Sequence, residues 1–78
     1  MPVVLRVGGF SFGFYRREHE PPHVHVRYSG GVAIIEIESG RVRHSSRMTN
    51  ARLAKARRLV QLNRAELLAA WQSRPKEG

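Results

Sequence analysis

Three of the four histidines in this chain fall within the run His19-Glu20-Pro21-Pro22-His23-Val24-His25-Val26. Imidazoles so close together offer two kinds of chemistry. Histidine exchanges protons near neutral pH, so a cluster of them can supply both a general base and a general acid. Neutral imidazole nitrogens also bind zinc, iron or manganese. No cysteine is present, so neither thiolate catalysis nor thiolate-held zinc competes with these readings.

The prolines at 21 and 22 have fixed φ angles and no backbone donors, and each pushes the residue before it toward extended geometry. They predict a rigid extended arm leading into a strand from Val24 to Tyr28. Alternation along that strand sets His23, His25 and Arg27 on one face, with Val24, Val26 and Tyr28 on the other. Since the valine face suits a core, the histidines and Arg27 are expected to face outward or line a groove. Three readings follow. In the first, His23 or His25 is a general base, another of His19, His23 and His25 is the acid, and Arg27 holds a phosphate. Such a set suits RNA cleavage, where the 2′-hydroxyl is the nucleophile and no metal is needed. In the second, His23 and His25 bind a divalent metal such as zinc, with Glu36 or Glu38 supplying a carboxylate from across the hairpin; Arg27 on the same face would repel the cation. In the third, the histidines cap turns and cover the sheet. His44 stands alone on the Val42 side of its own strand and reads as structural.

The elements that must position this segment are legible from patterning. Val3–Val7 is a β-branched strand, and Gly8-Gly9 can supply the positive φ angles of a tight hairpin. Phe10, Phe12 and Phe14 alternate with smaller or polar residues, placing an aromatic row toward the core. Ser29-Gly30-Gly31 turns the histidine strand into Val32–Glu38, and Ser39-Gly40 turns again into Arg41–Ser45. Four or five strands joined by such turns form an antiparallel meander. From Met48 the period changes. Thr49 is an N-cap, with Met48 and Leu53 spaced as a hydrophobic staple. Leu53, Val60, Leu67 and Trp71 mark one face of a helix within residues 48–73, and Pro75 ends it. Asn63 followed by Glu66 allows a kink, or a second short helix with its own capping box. Together these predict an α+β fold: an antiparallel meander over 1–45 with one C-terminal helix, kinked if Asn63 interrupts it, packed on one face. With 78 residues the chain is a single domain, 1–78, near the lower limit for one core.

Charge gives the second functional clue. The formal net charge is +8, with Lys+Arg at 14 against Asp+Glu at 6. No acidic residue occurs from Ser39 to Ala65, while Arg41, Arg43, Arg47, Arg52, Lys55, Arg57, Arg58 and Arg64 all lie there. Such a block attracts polyanions, and the planar guanidinium suits bidentate phosphate contacts. The competing reading is a solvated face that keeps the protein in solution. Arg57 and Arg64 lie within about 40° of the apolar helix stripe at about 100° per residue. Both either snorkel over the core edge or emerge at the sheet–helix seam toward a ligand. Snorkelling is favoured for Arg57, whereas Arg64 fits either equally. No apolar run is long enough to span a membrane and no secretory leader is visible, so a cytoplasmic location without membrane association is expected.

Several segments resemble one small bacterial family, the domain of unknown function 4160. They are Met1-Pro2-Val3-Val4, the run from Glu18 through Val26, the Gly30-Gly31 hairpin with Ala33-Ile34-Ile35-Glu36-Ile37, and Glu66-Leu67-Leu68 with Trp71. Its acidic-His-x-Pro-Pro-His-x-His signature carries over as His19, Pro21, Pro22, His23 and His25. The resemblance implies a gene beside that of a DNA-binding antitoxin-like protein, hence a toxin–antitoxin pair, and it assigns no catalytic roles. The Arg41–Arg64 block is not among the residues that carry it. At the level of fold analogy the chain is loosely similar to messenger-RNA-cleaving toxins that use a single histidine.

The combined expectation is a toxin component of a type II pair, acting as a metal-independent endoribonuclease with no cofactor. His19, His23 and His25 would be catalytic. Arg27, Arg41, Arg43, Arg47, Arg52, Arg57, Arg58 and Arg64 would bind phosphate. Its partners would be RNA or another nucleic acid and a cognate acidic antitoxin-like protein. The alternatives are a non-catalytic module binding nucleic acid or protein, and a metal-binding protein using His23, His25 and Glu36.

Overall fold

The computed structural model describes residues 1–74. Five strands, β1 (Val3–Val7), β2 (Phe10–Gly13), β3 (His23–Tyr28), β4 (Gly31–Glu36) and β5 (Val42–Ser46), form one sheet in chain order, each pair antiparallel. Two helices follow, α1 (Asn50–Leu62) and α2 (Arg64–Ser73). This is the expected α+β meander. Gly8 and Gly9 both adopt positive φ, at 52° and 85°, as their hairpin requires.

One sheet face is apolar because the strands alternate. Phe10 and Phe12 of β2, Val24 and Val26 of β3, and Ala33 and Ile35 of β4 are all buried, with Phe14 and Ile37 extending the row past the strand ends. Ala56 and Val60 of α1 and Leu67 and Trp71 of α2 close over it. Trp71 meets Phe14 edge-on at 5.4 Å. The opposite face of β3 carries His23, His25 and Arg27, as alternation dictates.

Thr49 caps α1, its Oγ1 accepting from the Arg52 N–H at 3.2 Å. The interruption at Asn63 is a true break. Asn63 sits at φ −109°, ψ 22°, and its side chain donates backward to the Leu59 carbonyl at 2.8 Å instead of capping α2. The predicted capping box is therefore not formed, because the amide is spent closing α1. The helix stop expected at Pro75 lies outside the described residues.

The segment before β3 departs from the sequence expectation. Instead of an extended arm, the chain turns at Arg16-Arg17, bends at Glu20-Pro21, and carries a cis Glu20–Pro21 peptide. Side chains distant in sequence hold this loop. The Trp71 indole N–H donates to Glu20 Oε2 at 2.8 Å, and Arg74 donates to the Glu18 carbonyl at 2.6 Å. Ile37 N–H donates to the Pro22 carbonyl at 3.0 Å, tying the loop to the end of β4.

Candidate functional site

The folded loop returns Glu18 to the outer face of β3. Its Oε2 lies 2.5 Å from His23 Nε2 and 2.7 Å from His25 Nε2, and Oε1 accepts from the Tyr15 N–H at 2.7 Å. An ionised carboxylate can only accept, so the network assigns a hydrogen to Nε2 of each ring. The His23 Nδ1 then has two neighbours of opposite kind, the Pro21 carbonyl at 3.0 Å and Arg43 Nη1 at 3.3 Å. As a lone pair it accepts from Arg43; carrying a hydrogen, it donates to Pro21. The His23 ring is buried, 5.1 Å from Trp71 and 5.8 Å from the His25 ring. Side-chain exposure rises from 8% at His23 and 12% at Glu18 to 22% at His25, so the cluster meets solvent mainly at His25. Burial opposes ionisation of Glu18. It is outweighed by the Tyr15 N–H and then by the two imidazoles, which hold the carboxyl below its ordinary value.

The neighbours of this cluster are aromatic and cationic. Tyr15 stands edge-on to His25 at 4.8 Å, and its hydroxyl accepts from Arg27 at 3.4 Å. His19 is exposed and lies outside the cluster. The carboxylate proposed from sequence as the third ligand, Glu36, also lies elsewhere. Although it pairs with His23 across the β3–β4 ladder, its oxygens accept from Arg43 Nε at 3.0 Å, Ser39 Oγ at 2.9 Å and Arg41 Nη1 at 3.3 Å. The Arg43 hydrogen bond, seconded by Ser39, keeps its carboxyl low.

A β-bulge explains why Arg43 is available. Ile34 pairs with His44 but Ile35 pairs with Val42, leaving Arg43 as the extra residue. A bulge re-aims side chains locally, so Arg43 reaches Glu36 and His23 on the outer face. His44, opposite Ile34, lies on that face too, and not on the Val42 side that strict alternation predicted; it is exposed.

The arginines expected to bind phosphate divide by position. Arg41 and Arg43 flank the cluster through Glu36, and Arg27 lies beside Tyr15. Arg57, Arg58 and Arg64 line a cavity of about 480 Å³ at the seam between α1 and the Ile37–Gly40 turn, where Arg57 Nε donates to the Gly40 carbonyl at 2.9 Å. Arg52 lies over the Tyr28 ring at 4.6 Å, at the far end of the β3–β4 ladder, and Arg47 adopts φ 55° in the link to α1. Six of the eight thus gather around the cluster, the β4–β5 turn and the seam, and two do not.

Sequence reasoning missed Glu18 as part of the site. The usable signal was its place at the head of the acidic-His-x-Pro-Pro-His-x-His run, where a carboxylate is within loop reach of both strand histidines. A family model for a domain of unknown function, DUF4160, matches residues 9–72. The chain belongs to this family. That match takes in the whole Glu18–His23–His25 cluster, Trp71 above it and the three seam arginines. No curated protein and no solved structure matches the chain at a significant level.

Proposed function

We propose that this DUF4160 protein acts on RNA, binding the strand along its arginines and cleaving it at the Glu18–His23–His25 cluster. The observation that carries this reading is continuity. Arg57, Arg58 and Arg64 line the seam against the Ser39-Gly40 turn, the next residue along is Arg41, and Arg43 stands 3.3 Å from His23. A polyanion following that run round the Ser39-Gly40 turn would meet the cluster at Arg43, in competition with Glu36 for the arginines there. Guanidinium groups supply the bidentate phosphate contacts such binding uses. In the scission, the strand's own 2′-oxygen bonds to phosphorus as the 5′-oxygen leaves. One proton passes from the former to the latter through the cluster, so no outside reactant is consumed. In a toxin–antitoxin setting, an acidic antitoxin-like protein would cover the same run.

The test is titration of single-stranded RNA with the protein at several salt concentrations, followed by analysis of strand length. Each phosphate contact contributes about −0.7 to the salt slope. Replacing Arg57, Arg58 and Arg64 with glutamine should therefore flatten the slope by about 2. Cleavage should stop in His25→Ala while binding persists. Binding without cleavage by the wild type would leave the non-catalytic module, and binding indifferent to the three seam arginines would end the RNA reading.

A further inference from the structure

We propose that Glu18, His23 and His25 form a site for one divalent transition-metal ion, zinc by the character of its donors. One carboxylate oxygen and two Nε2 atoms lie within 4.8 Å of one another. Two histidines and a carboxylate are the ligand set of many hydrolytic zinc centres and of non-haem iron triads. His23 and His25 aim alike because they are two apart on one strand, and the loop brings Glu18 to the point where they converge. At 2.5 and 2.7 Å the contacts are hydrogen bonds. Shifting each bridging hydrogen from Nε2 to Nδ1 of its own ring, one neutral tautomer to the other, frees both Nε2 lone pairs, so that all three groups can become ligands. With bonds of about 2.0–2.2 Å in tetrahedral geometry, ligand atoms sit about 3.4 Å apart, so Glu18 withdraws by about 1 Å while the two imidazole nitrogens, now up to 4.8 Å apart, swing toward each other.

For two of the three ligands, His23 and Glu18, the outer partners such a site needs are already in place. Metal-binding histidines characteristically donate their other ring hydrogen to a carbonyl or carboxylate, and ligating carboxylates are themselves hydrogen-bonded. The Pro21 carbonyl lies 3.0 Å from His23 Nδ1, and the Tyr15 N–H holds the Glu18 oxygen that faces away from the histidines. Metal binding therefore moves the His23 hydrogen from Nε2 to Nδ1 and changes its partner from Arg43 to Pro21. Arg27, which argued against a cation from sequence, is turned to the Tyr15 hydroxyl; Arg41 and Arg43 are paired with Glu36, and the contact of Arg43 with His23 Nδ1 is the one that metal binding gives up. The greater exposure of His25 leaves the remaining coordination position toward solvent. This departs from the metal-free chemistry expected from sequence because the side-chain partners shown for the Glu18 carboxylate are imidazoles, where those of Glu36 include two arginines.

The proposal does not rest on the RNA reading, because uptake is measured with the metal alone. Untagged protein stripped with a chelator is titrated with Co²⁺, followed by its visible absorption, and zinc content is measured after loading and dialysis. One ion per chain is expected. Loss of an outer partner alone costs roughly 10–100-fold in affinity, so Glu18→Gln and His25→Ala should each weaken uptake by more than that. His19→Ala and Glu36→Gln should bind like the wild type. Circular dichroism and melting of each variant confirm that it is folded, and the buried His23 is left in place for that reason. Absence of uptake by the wild type would overturn the proposal. So would uptake unchanged in the Glu18→Gln, His25→Ala double variant, or uptake as dependent on Glu36 as on Glu18. RNA cleavage without metal uptake would sink this proposal and spare the RNA reading; metal uptake without RNA binding would do the reverse.

Discussion

Glu18 and Glu36 flank the same histidine, are buried to nearly the same degree, and each accept several hydrogen bonds, yet they belong to different chemistry. The partners of Glu36 are guanidiniums and a hydroxyl. Guanidinium has no lone pair to offer and cannot lose its proton in a protein, so that group is a fixed ionic anchor between β4, β5 and the turn. The side-chain partners of Glu18 are imidazoles, which can give up the Nε2 hydrogen and become acceptors or ligands. The difference shows that a carboxylate's role follows from whether its donors can exchange their hydrogens, more than from its burial.

Trp71 supports the Glu18 site and not the Glu36 anchor. This side chain is 2% exposed, packs on Phe14 and His23, donates to Glu20, and lies under the Arg74 guanidinium at 3.6 Å. Trp71→Ala should cost about 3–5 kcal/mol in denaturant unfolding. It should also release the loop that presents Glu18, so residual folded protein keeps the Glu36 anchor and loses the cluster. A smaller and more selective effect comes from Glu18→Gln, whose amide NH2 must face either the Tyr15 N–H or the two imidazole hydrogens, donor against donor, and which should cost about 1–3 kcal/mol. Glu36→Gln should cost less, and the difference from wild type should shrink in high salt, since exposed guanidiniums share that anchor.

The smallest effect is in the pH dependence. In metal-free protein the Glu18 carboxyl is held below its ordinary value of 4.5. Because the folded value is the lower one, the stabilisation is fully present above the unfolded value and disappears as pH falls through the folded one. Urea unfolding should therefore lose stability in acid below about pH 4.5. Glu18→Gln should remove that part of the decline at any salt concentration, whereas the Glu36 part should fade as salt is added.

Much of the fold was legible because local signals agreed with one another. Glycine pairs marked the hairpins, the alternating phenylalanines marked the core face of β2, and Thr49 marked the start of α1. The pairing of His23 with His25 on one strand face followed from alternation alone. What the sequence hid depends on contacts distant along the chain. Glu18 reaches the histidines because Trp71 and Arg74, more than fifty residues later, hold the loop by its polar groups. Strict alternation also failed at β5, where the Arg43 bulge moves His44 to the outer face, a one-residue irregularity with no turn residue to announce it. Glu36 looked like the natural third ligand by register, and three donors from the β4–β5 region claimed it first.

Glu18, and not Glu36, joins His23 and His25 into one cluster. Long-range proton–nitrogen NMR of the imidazoles in metal-free protein tests it most directly. Both rings should carry a hydrogen on Nε2, and Glu18→Gln should move the nitrogen resonances of both while Glu36→Gln leaves those of His25 in place. If His25 instead responds to Glu36→Gln and is indifferent to Glu18→Gln, the cluster described here does not exist.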